Sequence, residues 1–427
     1  MAVVAMTGAI ASGTTSMRMP PRTLAVYFMA KLVPGVLTMM AVPMWVRLVG
    51  FESYGRYALA WAVAVCAASL GTGWLRQSAL RFVGSEHGSF GLLPVSAIVV
   101  SIIAAGGFCA VSYGIVLEGA SLGTAALVGL FGSSIAVAAI VTTVLQRDAR
   151  SRTYNLLETI KVLATVLLGA AFITVGFHGA GVIVASATVA NVCGAAALVP
   201  NLRRSQQLRR SESTGTRPLS VLPLWWKYGW PMSLWLGLSP VLLYLDRMVL
   251  AMFADAQTVG RYAAVSDLLV RGVAMLAFPV TMALHPLVMR AVNDGRRVEA
   301  LHAVKRWTLG MLLALALGTA SAIAVGPFIL GALLGTEPPS RAIVVPLLLG
   351  AGLWQVAQLA HKPMEVNRQT ALMLGLLVAA VALEVAVALG SVRMLGDRGV
   401  ALGLVVGAVS YLLGVAWFTL RRCARDG

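Results

Sequence analysis

The sequence predicts an all-α polytopic membrane protein of about twelve transmembrane helices, in two six-helix lobes around a central cavity, on three observations. Its 427 residues are 59% hydrophobic and only 11% charged, whereas soluble domains carry about 25% charged residues. Apolar runs long enough to cross a bilayer recur twelve times with charged breaks between them. A short motif from the first half returns 205 residues later.

A hydrocarbon core about 30 Å thick takes about 20 apolar residues at 1.5 Å rise each. Such runs lie at 24–46, 55–75, 92–117, 121–146, 155–176 and 179–200, then at 226–252, 259–289, 307–333, 341–361, 370–391 and 399–420. The first holds Pro34 and Pro43 and the seventh Pro231 and Pro240, each pair nine residues apart, so both helices are expected to bend and to line water or protein. The second and eighth open on the repeated motif. The third, fourth, sixth and ninth carry no charge and read as plain spans, and the fifth carries Glu158 and Lys161 at i,i+3. Trp225, Trp226 and Trp230, at the start of the seventh, read as interfacial anchors. The tenth presents Trp354, Gln355, Gln358, His361, Lys362 and Glu365 on one side. The eleventh carries Glu384 alone, and the last repeats Gly399, Gly403 and Gly407 every four residues, a stripe that lets a neighbouring backbone approach within the molecule.

The organisation that follows is an N-terminal cytoplasmic tail 1–22, a first lobe 23–202, a basic cytoplasmic linker 203–224, a second lobe 225–420 and a C-terminal cytoplasmic tail 421–427. No loop is long enough to fold as a soluble domain, so function must sit within or between helices. The first twenty residues have no charge before Arg18, so no cleaved signal peptide is expected, and Met17 or Met19 could serve as the start.

Lysine and arginine stay on the cytoplasmic side of short loops. Under the twelve-span reading the even-numbered connections and both tails hold 23 of the 33 basic residues, with a net charge of +16 on that side, +1 on the other and zero in the membrane. Both termini are therefore expected in the cytoplasm. The cations are spread over many short loops without a basic domain, which speaks against nucleic-acid binding and for attraction to anionic lipid headgroups.

Tyr54-Gly55-Arg56-Tyr57-Ala58 and Val259-Gly260-Arg261-Tyr262-Ala263 are the two copies of the motif. Six spans separate them, an even number, so the halves are parallel repeats about an axis along the membrane normal. Cys66, Cys109, Cys193 and Cys423 are single and the five histidines are scattered; neither pattern is a disulfide framework or a metal site. No cofactor is expected, and there is no G-x-x-x-x-G-K-[ST] loop for ATP.

The stretch Lys31-Leu32-Val33-Pro34-Gly35, followed by Leu48-Val49-Gly50-Phe51-Glu52-Ser53-Tyr54-Gly55-Arg56-Tyr57, resembles the opening of the polysaccharide transporters of the multidrug/oligosaccharidyl-lipid/polysaccharide exporter superfamily, which include the O-antigen-type flippases. In the second half Leu245-Asp246-Arg247, Val259-Gly260-Arg261-Tyr262, Asp267-Leu268-Leu269-Val270-Arg271, Pro279 and Pro286 follow in an order similar to the family's. The resemblance covers residues 23 to 420. It implies two six-helix lobes that move a lipid-linked glycan, such as a polyprenyl-pyrophosphate-linked oligosaccharide, from the cytoplasmic to the outer leaflet for lipopolysaccharide or exopolysaccharide assembly. It implies a bacterial inner membrane, and a monomer in the company of polysaccharide-assembly proteins.

Eight charges lie inside spans, each costing about 2.5 to 3.5 kcal/mol on insertion scales, so each must pair or face water. Glu158 with Lys161 and Asp267 with Arg271 can pair on their own helices. Adjacent Asp246 and Arg247 point about 100° apart and need partners elsewhere. Lys31 and Glu384 have no opposite charge on their helices. Lys31 and Lys161 lie about 10 to 14 Å in from the cytoplasmic ends of their runs, where cations would offset the desolvation of a pyrophosphate. Lys31 is the first expected substrate contact, Arg271 the second, as a later station released from Asp267, and Lys161 joins them. Trp354, Gln355 and Gln358 suit a sugar or form an interhelical hydrogen-bond seam. Glu384, Asp246, Arg247 and Asp267 are the candidates for gating or for coupling to a proton or sodium gradient. A drug/cation antiporter of the same superfamily is the alternative, disfavoured because the one acid inside the first-lobe spans is paired with Lys161. A membrane glycan polymerase or glycosyltransferase is the third, disfavoured because the external acids are dispersed without a paired-carboxylate motif.

Overall fold

The structure, a computed structural model, describes residues 21–82, 95–116, 121–148, 150–210, 218–367 and 369–426. Residues 1–20 of the N-terminal tail and 211–217 of the basic linker lie outside the described residues, as do the side chains of residues 21–31, including Lys31. Among the described residues every regular element is a helix: α1 Pro21–Arg81, α2 Val95–Val116, α3 Leu122–Arg147, α4 Ser151–Thr174, α5 Ala180–Arg210, α6 Pro218–Ala251, α7 Ala256–Asn293, α8 Arg297–Leu334, α9 Arg341–Ala360, α10 Lys362–Val366, α11 Thr370–Leu395 and α12 Asp397–Asp426.

Among the described residues eleven helices are long and apolar enough to cross a membrane, and the first of them is two spans in one. At 1.5 Å per residue the 61 residues of α1 would extend about 90 Å, three times a bilayer core. Its helical path breaks at Gly50, which adopts φ 80 and ψ 165, a conformation open in practice to glycine alone. Divided there, α1 supplies the two spans expected at 24–46 and 55–75, and the chain is a multi-pass membrane protein of twelve spans.

Two bundles follow the chain order. Helices α1 to α5 pack together as the first lobe and α6 to α12 as the second, and the two meet where α1 lies along α6 and α7. The two motif copies form the tightest part of that seam. A Cβ on Gly260 would stand 1.8 Å from the Phe51 carbonyl oxygen, and one on Gly55 2.5 Å from the Ala256 oxygen, so the helices cross backbone to backbone, as small residues permit. Nearer the opposite end of α1, Gly73 abuts Ser233 and Gly229 abuts the Trp74 backbone. The Gly399, Gly403 and Gly407 stripe lies on α11, against Ser391, Ala388 and Glu384, which is packing inside one lobe.

Helix ends differ from the apolar runs mainly on the basic side. α5 continues to Arg210, α6 begins at Pro218 and α8 at Arg297. Hydropathy marks where lipid ends, whereas backbone hydrogen bonding carries on into water through good helix formers such as leucine, arginine and glutamine. Trp225 is a correction. It is fully buried, stacked on Phe82 at 6.4 Å within a cluster of first-lobe residues, and Ser78 Oγ donates to its carbonyl at 2.8 Å. The start of α6 inserts into the first lobe and carries Trp225 with it, and of the three tryptophans there Trp226 and Trp230 are exposed.

Candidate functional site

The charged residues of the second lobe converge on the seam between lobes. Arg247 of α6 is wholly buried, and its Nη2 donates to Asp267 Oδ1 at 2.9 Å and to Ser266 Oγ at 3.2 Å, both on α7. Arg271, one turn along α7, donates to Asp267 Oδ2 at 3.3 Å and to the Thr38 carbonyl of α1 at 3.4 Å. Tyr54 of α1 donates its hydroxyl to the same Oδ2 at 2.6 Å. Asp267 thus takes donors from α1, α6 and α7, two of them cationic, and it ties the lobes together in a water-poor region where such bonds are strong.

Asp246 is turned away from its neighbour, as adjacent residues on a helix must be. Its Oδ2 accepts from the Tyr262 hydroxyl at 2.6 Å and its Oδ1 from the Arg247 backbone N–H at 2.7 Å. The two hydroxyls come from the two motif regions, Tyr54 in the first and Tyr262 in the second. Aromatic faces cover the cations: Arg247 lies 4.7 Å from the Tyr244 ring centre and Arg271 5.9 Å from that of Trp61. Two aspartates and two arginines leave the group neutral. Nε and Nη1 of Arg247 find no hydrogen-bond partner among the described residues.

Glu384 of α11 stands apart. It is 0% exposed and neither carboxyl oxygen has a hydrogen-bond partner among the described residues. Gly407 of α12 makes room for it, since a Cβ there would lie 3.0 Å from Glu384 Oε2.

The remaining candidates occupy other places. Lys161 pairs with Glu158 on α4 at 2.8 Å, partly accessible, with its stem against Gly194 of α5. Lys31 falls on α1, with its side chain outside the described residues. Trp354 is fully buried between Trp235 of α6, stacked at 6.4 Å, and Tyr411 of α12 at 5.3 Å. Gln355 is buried, its Oε1 without a hydrogen-bond partner among the described residues, and Gln358 is half-buried. The polar side of the tenth span therefore faces other helices. A pocket of 340 Å³ at the end of the seam where the two motif copies meet, lined by Phe51, Arg261, Glu337 and Asp397 among others, touches this network only at Tyr262.

Sequence reasoning missed Tyr54, Tyr262, Trp235 and Tyr411. The signal for the first two was present, because both lie in or beside the repeated motif, whose tyrosines face buried carboxylates. Nothing in the sequence pointed to Trp235 or Tyr411, whose partners are on helices remote along the chain.

A family model described as polysaccharide biosynthesis protein matches residues 22–292. A search of curated proteins returns no match. Among solved structures the fold is similar to an inward-facing multidrug resistance MATE family transporter of the MOP superfamily, with TM-score 0.65, 18% identity and coverage of 93% of this chain and 98% of that one. It is similar to the lipid II flippase MurJ in an inward closed conformation, with TM-score 0.67, 12% identity and coverage of 92% and 87%. A MOP superfamily transporter from Pyrococcus furiosus, for which a reversed polarity of the binding pocket is taken to suggest a different function, aligns at TM-score 0.57 with 16% identity over 98% and 100%.

Proposed function

The chain belongs to the polysaccharide biosynthesis protein family, and on that premise we propose that it is a flippase that moves a lipid-linked, anionic glycan from the cytoplasmic to the outer leaflet of a bacterial inner membrane, with both termini in the cytoplasm. Family and fold are those of transporters and not of enzymes.

The observation that carries the sign of the cargo is the state of the acids in the first lobe. Glu52, Asp148 and Glu158, the acidic residues described there, each lie within 3.1 Å of a basic group: Arg56 at 2.8 Å, Arg147 at 3.1 Å and Lys161 at 2.8 Å. A cationic cargo needs an uncompensated carboxylate, whereas a pyrophosphate needs a cation that can leave its partner. Lys31, Lys161 and Arg271 are the proposed stations. Arg271 is the best placed to report arrival, because a phosphate that draws it off Asp267 also draws it off the Thr38 carbonyl. What then holds α1 on α7 there is the Tyr54 hydrogen bond and the apposed glycines of the two motif copies, and the seam between lobes is loosened. The glycan follows through the cleft between the lobes, with Trp354, Gln355 and Gln358 proposed as the sugar-facing surface once Trp235 moves aside.

The drug/cation antiporter keeps one observation in its favour, Glu384 of the second lobe, whose carboxyl has no hydrogen-bond partner among the described residues. In the flippase reading Glu384, with Asp246, takes up the coupling proton or sodium ion. Export of glycan from cells carrying Lys31→Ala, Arg271→Ala or both, at native expression levels, tests the assignment. Loss of export in the double variant is expected. Normal export in it would refute the cationic stations.

A further inference from the structure

Beyond the network at the seam, the second lobe buries another titratable constellation, at the elbow where α9 gives way to α10. His361 occupies the elbow itself, ending α9 and opening α10 ahead of Pro363. Its side chain is 1% exposed. Nε2 lies 3.0 Å from Glu365 Oε1, and Nδ1 lies 3.2 Å from the hydroxyl of Tyr411 on α12. Lys362 Nζ holds the same carboxylate at 2.9 and 2.8 Å. The ring stands edge-on to Trp235 of α6 at 5.4 Å and to Tyr411 at 6.1 Å.

Proton bookkeeping gives this arrangement two states. A neutral imidazole has one N–H and one lone pair. A carboxylate only accepts, so the N–H belongs on Nε2 toward Glu365, and Nδ1 accepts the Tyr411 O–H. A second proton on the ring makes both nitrogens donors. The Tyr411 hydroxyl must then rotate from donor to acceptor at Nδ1 and send its own hydrogen elsewhere. The local charge, zero with Lys362 and Glu365 both ionised, becomes +1 beside the indole of Trp235. The charged groups that face His361 are Glu365 and Lys362 of α10. α12 contributes Tyr411 and α6 the uncharged Trp235, while Arg297 of α8 reaches the far end of α10 and is bonded to Asn367.

We propose that His361, with Glu365 and Tyr411, is a proton-binding site of the second lobe, separate from Asp246 and Glu384, and that its occupancy is transmitted to the seam between lobes through Trp235. Transmission has a short route. Trp235 lies on α6 between Ser233 and Gly237, which abut Gly73 and Leu70 of α1 from the opposite face of the helix, so a displacement of the indole reaches α1 through the body of α6. The proposal rests on the transporter reading for this consequence and not for the existence of the site.

The test uses the full-length protein in lipid nanodiscs. An imidazolium against an indole quenches its fluorescence, so tryptophan emission is titrated between about pH 5 and 8, the range in which histidine ordinarily changes charge. Because the chain has ten tryptophans, the readout is the difference between wild type and His361→Gln. Wild type should show a reversible quenching step that is lost in His361→Gln and displaced along the pH axis in Tyr411→Phe, which removes the hydrogen bond to Nδ1. The same step in His361→Gln, or no step in wild type, would overturn the proposal. Should His361→Gln fail to fold, the Tyr411→Phe titration decides, and an unshifted curve counts against the site. Transport assays on the same preparations fail or succeed independently of the optical step, so the two readings can be refuted separately.

Discussion

Asp267 is the residue on which most of the seam depends, because it accepts from Tyr54, Arg247 and Arg271 at once. Removing one member of a buried ionic group strands its partners, at a cost of about 3 to 5 kcal/mol. Asp267→Asn is therefore expected to lower unfolding stability by about that amount, measured by denaturant or thermal melting in one detergent. Tyr54→Phe removes one bond to a charged acceptor, worth about 1.5 to 3 kcal/mol, and only where the lobes touch. It should leave the melting of each lobe nearly unchanged and, with the native cysteines replaced, lower the yield of cross-linking by a short bis-maleimide between Arg47→Cys and Leu333→Cys, sites joined in the structure by the Arg47 to Leu333 hydrogen bond. Glu384 behaves oppositely. A buried carboxyl without a donor costs stability, so Glu384→Gln should fold at least as well as wild type, while glycan export stops responding to collapse of the proton gradient. The pairs Glu158 with Lys161 and Asp267 with Arg271 were legible because i,i+3 and i,i+4 spacing places them on one helix. The bond from Tyr54 to Asp267 spans 213 residues, and local spacing carries no information about it.

At the scale of elements, all twelve spans were legible, since the length of an apolar run and the thickness of a bilayer are the same measurement. The junctions were less so. Hydropathy separates the first two spans without saying how the chain passes between them, and the answer is one glycine, Gly50, inside an otherwise continuous helix. Gly50→Ala places a Cβ in backbone space reserved for glycine and should cost about 1 to 3 kcal/mol, seen as a lowered melting temperature. The repeated motif was visible as a repeat, but its purpose was not. Gly55 and Gly260 allow the two copies to touch each other, a contact between residues too far apart in sequence for local spacing to announce. Gly260→Ala must push α7 off the Phe51 carbonyl, an overpacking of about 1 to 3 kcal/mol confined to the seam between lobes. Trp225 shows the limit of reading tryptophans at span ends as anchors. Whether such a ring meets headgroups or another lobe depends on where its helix inserts.

For the whole molecule the basic residues of the sequence mark one side, and the structure leaves the carboxylates described in the first lobe neutralised. With the native cysteines replaced, Arg296→Cys should react with an impermeant thiol reagent only from the cytoplasm, and Asp397→Cys only from outside, in intact and inverted vesicles. The account as a whole rests on the charge and direction of the cargo. Purified protein reconstituted with a polyprenyl-pyrophosphate-linked oligosaccharide allows that to be measured as the fraction of glycan exposed to an external glycosidase or lectin. Wild type should accelerate exposure, and Lys31→Ala with Arg271→Ala should abolish the acceleration in protein that remains folded. Transport of a cationic dye by the same vesicles, with no movement of the lipid-linked glycan, would contradict it.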